Sequence, residues 1–206
     1  MNAQNKRWRA LAGYWLDLYR LSRARFVNAH SYLKFVHLRA VARRCGASTF
    51  IETGTYRGVT AYRCSFVFKS VFTIEIQPEL ATAAATFLAR RPNVRVICGD
   101  AVSELGRVFQ NNTFDSALVY LDGHFSGGVT GCGGLPEPAL EEMRVLAEFK
   151  SRIGAIVIDD FRSFGVEPGF PQKSELLRAA EDLFGEYALS VNYDELAIAR
   201  CKHGRQ

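Results

Sequence analysis

The chain has 206 residues, 48% of them hydrophobic and 23% charged. That composition supports one ordinary domain with a full core and excludes a disordered chain. No run of about 18 apolar residues occurs, which argues against a membrane-spanning helix, and Asp17 and Arg20 interrupt what would be an apolar signal core, so a cytoplasmic protein is expected.

Charge is unevenly placed. Residues 1–45 carry ten Lys and Arg against the single Asp17, whereas the rest holds 16 basic and 20 acidic residues. The basic excess therefore belongs to an N-terminal appendage, expected to be a helical extension over 1–45 preceding a main domain over 46–206. Solvated helix faces are the plainest reading of such a run. A cap or a homodimer contact through these helices and a peripheral membrane contact stay open, and nucleic-acid binding ranks last because the core lacks a matching excess. The five cysteines (Cys45, Cys64, Cys98, Cys132, Cys201) have no CxxC spacing and read as reduced, mostly buried thiols.

In chain order, Trp8, Leu11, Trp15, Leu18 and Leu21 recur every three or four residues, and Phe26, His30, Leu33, Val36 and Ala40 continue the stripe after a break near Asn28. Two amphipathic helices are predicted over 6–44. From Ala47 short apolar runs at Thr49–Glu52, Val71–Glu75, Val94–Cys98, Ser116–Leu121 and Ala155–Asp159 alternate with helical stretches at Val59–Phe68, Pro78–Arg90, Ala101–Phe109 and Pro138–Lys150. Apolar strands separated by helices predict a parallel sheet covered on both faces. A last helix, Gln172–Phe184, precedes Tyr187–Val191 and Glu195–Arg200, which the short link Asn192-Tyr193-Asp194 joins as an antiparallel hairpin. The fold class is α/β: a doubly wound, seven-stranded, mostly parallel Rossmann-like sheet.

Ligands of such sheets sit beyond the carboxyl ends of the strands. The first strand ends in Glu52-Thr53-Gly54-Thr55-Tyr56-Arg57-Gly58, an acid followed by a glycine turn opening a helix. Gly54 and Gly58 let the backbone turn sharply and approach a ligand, and Glu52 can hold an ammonium group or an ordering water. The GxGxxG fingerprint is absent, which argues against a dinucleotide. Glu75 ends the second strand, where a carboxylate can accept ribose hydroxyls. Asp100, with Ala101, follows the third, positioned for a purine amino group while capping the next helix. Taken singly, these are a tight turn, a solvated strand end and a helix cap.

The fourth strand ends in Leu121-Asp122-Gly123-His124, and the fifth in Ile158-Asp159-Asp160. Adjacent strand ends bring Asp122, Asp159 and Asp160 around one crevice, where three carboxylates repel unless a cation neutralises them. Such oxygen ligands suit Mg²⁺, which can lower the pKa of a bound substrate hydroxyl. His124 is then placed as general base. The bland alternatives are that Asp122 lines a cofactor pocket, Asp159 caps a loop and His124 is structural. His30, His37 and His203 stand outside the constellation. The glycine-rich segment Ser126–Pro136 reads as a wall over an acceptor.

ETGTYRG, the strand-end Glu75 and GDA over Gly99–Ala101 resemble the motifs of the S-adenosylmethionine (SAM)-dependent class I methyltransferases across residues 47–200. The resemblance implies SAM binding by Glu52, Gly54, Thr55, Gly58, Glu75, Asp100, Ala101 and Asp122. With LDGH and IDD, the chain resembles the macrocin O-methyltransferase type and related bacterial sugar-modifying enzymes. In those relatives carboxylates at the positions of Asp122, Asp159 and Asp160 bind magnesium. An acid commonly stands where this chain has His124, so the base role carries over by position alone. The string DGHFSGG…GCGG followed by Pro138-x-x-Glu141-Glu142 is similar to a bacterial group often without assigned substrate. The expected function is thus Mg²⁺-assisted O-methylation of a sugar or other polyhydroxylated small molecule, with Asp122 and His124 catalytic. A metal-free methyltransferase using His124 alone is the first alternative, and nucleic-acid or membrane binding through the N-terminal helices the second.

Overall fold

The computed structural model describes residues 12–19, 31–123 and 137–200. Residues 12–19 are helical (α1), and α2 spans Ser31–Cys45. Then follow β1 (Thr49–Thr53), α3 (Val59–Cys64), β2 (Ser70–Glu75), α4 (Pro78–Leu88), β3 (Val94–Cys98), α5 (Ala101–Asn111), β4 (Ala117–Leu121), α6 (Ala139–Ala147), β5 (Ile153–Ile158), α7 (Lys173–Phe184), β6 (Tyr187–Asn192) and β7 (Glu195–Arg200). Short 3₁₀ turns at Lys150–Arg152 and Phe161–Ser163 flank β5.

The seven strands lie in the order β3-β2-β1-β4-β5-β7-β6. The β1–β2, β2–β3, β1–β4 and β4–β5 pairs are parallel, while β7 runs antiparallel to β5 and β6. The predicted class and the terminal hairpin are therefore observed. The hairpin closes through Tyr193 and Asp194, both at positive φ (54° and 69°). That pair is the signature of a type I′ turn, whose twist matches the flanking strands.

Alternation of side chains along the central strands divides the core in two. Phe50, Leu118, Tyr120, Ala155, Val157 and Ala197 face Leu38, Val41 and Ala42 of α2, Ala61 and Cys64 of α3, and Ala84 and Leu88 of α4. Ile51, Val119, Leu121, Ile156 and Ile158 face Leu105 and Phe109 of α5, Met143 and Leu146 of α6, and Leu176, Ala180 and Phe184 of α7. β1, β4 and β5 are buried along their whole length, as strands covered on both faces must be.

Most predicted elements end within two residues of the observed ones. The clearest difference is α3, predicted to Phe68 but ending at Cys64. The next residues turn instead, with Phe66 and Val67 bonding back to Arg63 and Cys64 carbonyls so that the chain can enter β2. The expected break near Asn28 lies outside the described residues. Cys64 is buried, Cys45 partly buried and Cys98 exposed. No described helix is long and apolar enough to cross a membrane.

Candidate active site

In the strand order, β1 has β2 on one side and β4 on the other, so successive crossovers run in opposite directions from it. This is the switch point at which an open α/β sheet parts its loops to leave a crevice. The β1–α3 loop at that point is held from three sides. Gly54 and Thr55 donate their backbone N–H groups to the Ile74 carbonyl of β2 (3.0 and 3.2 Å). The Glu75 carboxylate at the end of β2 accepts the Tyr56 N–H at 2.7 Å and the Gln77 N–H at 3.0 Å. Beneath the loop a buried hydroxyl chain runs inward: Thr73 Oγ1 donates to Glu52 Oε2 at 2.7 Å and lies 2.5 Å from Thr55 Oγ1. A hydroxyl has one proton to give, so Thr55 donates to Thr73 and Thr73 to Glu52. Burial pushes the Glu52 carboxyl up to about 8, offset in part by the Thr73 and Thr60 hydroxyls.

On the fourth side is Gly54 itself. Its φ is +79°, and a Cβ there would lie 2.7 Å from the Asp122 carbonyl carbon and 3.0 Å from Gly123 Cα. The loop after β1 and the loop after β4 thus meet backbone to backbone, which only glycine permits. Gly58, at φ +69°, begins α3, and a Cβ there would press on Leu88 Cδ1 at 2.9 Å. Asp100 caps α5, its Oδ1 accepting the Ser103 N–H at 3.1 Å and hydroxyl at 3.2 Å.

The sheet also brings together the acids of the second constellation. Leu121 is in register with Ile158, so Asp122 and Asp159 emerge side by side. Asp160 takes a left-handed backbone (φ 48°), which Asp tolerates better than most residues. Among these acids sits a residue of the basic N-terminal run. Lys34 of α2 places its Nζ 2.6 Å from Asp159 Oδ2 and 3.3 Å from Asp160 Oδ1. The Tyr120 hydroxyl donates to the same Asp159 oxygen at 2.5 Å, and the Asp160 N–H to the other at 2.7 Å. Asp160 further pairs with Arg162 at 3.0 Å. Despite the desolvation that opposes its charge, Lys34 is held cationic by Asp159, Asp122 and Asp160. Burial first, and the Asp159 charge second, push the Asp122 carboxyl well above the usual carboxylate range.

Behind Lys34, one turn along α2, His37 Nδ1 meets Glu195 Oε2 at 2.5 Å. Burial and the Arg44 charge hold His37 below its ordinary value; burial and the Asp159 charge raise Glu195 well above its own. His37, expected to stand apart, is therefore a buried neighbour of the acid cluster.

The expected Mg²⁺ finds no support in this donor set. Asp159 Oδ2 already accepts from both Lys34 and Tyr120, Oδ1 accepts the Asp160 N–H, and an ammonium lies between Asp159 and Asp160. Among the described residues no three His, Cys, Asp or Glu side chains are arranged to hold a metal. The physical reason is Lys34, 125 residues from Asp159 in sequence, so no local spacing could reveal it. His124, the expected base, and the glycine-rich segment with Cys132 lie outside the described residues. Ala101 begins α5 beside Asp100.

One further buried acid had no sequence signal beyond its place after Pro138. Glu142 of α6 is 1% exposed and neither carboxyl oxygen has a hydrogen-bond partner among the described residues. It faces Gly123 and the Thr53 hydroxyl, which lacks hydrogen-bond geometry but lies near enough to soften the shift. Burial, with the Glu137 charge, pushes Glu142 up to about 8.

Several solved structures share this architecture. The O-methyltransferase TomG from Streptomyces achromogenes, involved in tomaymycin synthesis and solved with SAM, aligns over 97% of this chain and 100% of its own, at 20% identity and TM-score 0.59. The methyltransferase PaMTH1 of Podospora anserina, bound to S-adenosylhomocysteine (SAH), aligns over 94% and 87% at 16% identity and TM-score 0.59. An O-methyltransferase from Bacillus cereus in complex with SAH aligns over 93% and 100% at 14% identity and TM-score 0.56. The fold is the Rossmann-like methyltransferase fold. No protein-family model matches the chain, and neither does any curated protein sequence.

Proposed function

We propose that this protein is a SAM-dependent O-methyltransferase acting on a hydroxyl of a sugar or other polyhydroxylated small molecule, without a divalent metal. The observation that carries the reading is the backbone contact of Gly54 with Asp122 and Gly123 at the β1–β4 switch point, in a fold shared with SAM- and SAH-bound enzymes. A crevice floored by two backbones and rimmed by Glu75 and Asp100 suits an extended nucleoside ligand. Each Glu75 oxygen accepts one backbone N–H and keeps a lone pair for a ribose hydroxyl. Glu52, Thr55 and Gly58 fix the loop that forms the floor, and Asp100 with Ala101 stands at the purine end.

When bound, SAM supplies an electrophilic methyl group. The chain's own contribution is to orient the acceptor hydroxyl and take its proton. Asp122 follows β4 with its backbone against Gly54, and His124, two residues on, is the proposed base because an imidazole exchanges protons near neutral pH. The macrocin-like sugar specificity rests on the LDGH and IDD strings.

Incubation with methyl-labelled SAM and a panel of polyhydroxylated acceptors, with and without chelator, tests this. The expected product is an O-methyl ether formed equally in both. Transfer to amines alone would refute the acceptor class, and chelator-sensitive turnover the metal-free arrangement.

A further inference from the structure

The acid cluster at the ends of β4, β5 and β7 is heavily one-sided. Asp122, Asp159, Asp160, Asp194 and Glu195 converge there, and Glu52 lies within electrostatic reach of Asp122. Facing them are Lys34, His37, the Tyr120 hydroxyl and Arg162. Arg162 is committed at the outer edge, donating to Asp160 and to both Asp194 oxygens. Lys34 is the cation at the inner edge, where only 14% of its side chain is exposed.

Lys34 is not a surface lysine that has folded over. It projects from α2 one turn before Leu38, 0% exposed, and two turns before Val41, 4% exposed, so the helix face that carries it is the one locked onto the sheet. α2 packs across β5 and β7, the strands whose ends supply Asp159, Asp160 and Glu195. Docking the helix delivers the ammonium to the acids, and the ion pair is held in place by the apolar contacts below it.

On the proposed methyltransferase reading, we infer that Lys34 is a built-in cation holding the place that a divalent metal would take among Asp122, Asp159 and Asp160, so that the docked Lys34 ammonium and a bound metal are mutually exclusive. A metal at this site needs carboxylate oxygens at about 2.0–2.1 Å in octahedral geometry. The ammonium 2.6 Å from Asp159 Oδ2 blocks that approach. An ammonium carries three donors; among the described residues it meets Asp159 and Asp160. The N-terminal extension is thereby part of the reaction site through one of its ten basic residues.

Mn²⁺ binding followed by electron paramagnetic resonance tests this without a substrate, with SAH titration as a parallel readout. Wild-type protein is expected to leave millimolar Mn²⁺ free, and Lys34→Met, which keeps the length and apolar stem, to bind it at least about tenfold more tightly because the carboxylates lose their cation. Lys34→Arg keeps the charge and should still exclude the metal. Equal Mn²⁺ binding by wild type and Lys34→Met would overturn the inference, as would the absence of binding in a folded Lys34→Met. Should Lys34→Met fail to fold, wild type and Lys34→Arg decide: Mn²⁺ bound by either contradicts the inference, and exclusion by both supports it. Loss of SAH binding in every form would sink the cofactor reading while leaving the metal result intact.

Discussion

Gly54 concentrates the local argument in one missing methyl group. Its left-handed φ and the Asp122 carbonyl against its Cα leave no room for a side chain. Gly54→Ala should cost at least ~2 kcal/mol from backbone strain and the displaced β4 loop. Calorimetry should show SAH affinity falling with it; unchanged affinity and melting temperature would mean the two loops do not meet. Glu142 gives the opposite expectation. A buried carboxyl with no partner among the described residues costs energy when ionised, so Glu142→Gln should stabilise the protein by roughly 2 kcal/mol at pH 8 and leave it nearly unchanged at pH 5. Equal destabilisation at both pH values would show that the carboxyl has a partner. At this scale the sequence displayed Gly54, Glu75 and Asp100 because each stands at the end of a strand, just beyond one, or at the start of a helix. It hid Glu142, whose burial depends on how α6 is turned, and Lys34, whose partners lie on distant strands.

At the scale of elements, α2 departs furthest from its sequence appearance. Four of the ten basic residues of the N-terminal run fall in it, and the run suggested a solvated face. Arg43 and Arg44 do face solvent, but Leu38, Val41 and Ala42 are buried against the sheet and Lys34 and His37 are turned toward its carboxyl end. The predicted stripe of Leu33, Val36 and Ala40 is borne out at Leu33 alone: Val36 and Ala40 are half-buried, and Phe35, Leu38, Val41 and Ala42 form the buried face. Leu38→Ala should destabilise by about 2–5 kcal/mol and raise proteolytic cleavage within residues 31–45 before the rest of the domain. Cleavage that stays uniform along the chain would mean that α2 does not open as a unit. The β6–β7 hairpin was legible to within a residue, because its two-residue turn leaves only one pairing.

For the whole molecule, strand and helix alternation sufficed for the class because a parallel sheet has few right-handed ways to connect. The order β3-β2-β1-β4-β5-β7-β6 then fixes where loops part. The same packing buries carboxyls whose titration links stability to pH. Burial raises Glu52 and Glu142 to about 8 and Glu137 to about 7, from 4.5. Each is more readily protonated in the folded chain, so the stability it contributes is complete below about 4.5 and is lost as pH rises through the folded values. Denaturant unfolding should therefore show these groups' contribution falling between roughly pH 4.5 and 8, with the slope reduced in Glu142→Gln. A slope unaffected by that substitution would contradict the assignment.

The central claim is that the switch-point crevice takes a SAM-type nucleoside. Isothermal titration of SAH into the wild-type protein tests it most directly. Saturable binding of one SAH per chain is expected, unaffected by chelator and weakened in Gly54→Ala. No detectable binding at millimolar SAH by a folded protein would contradict it.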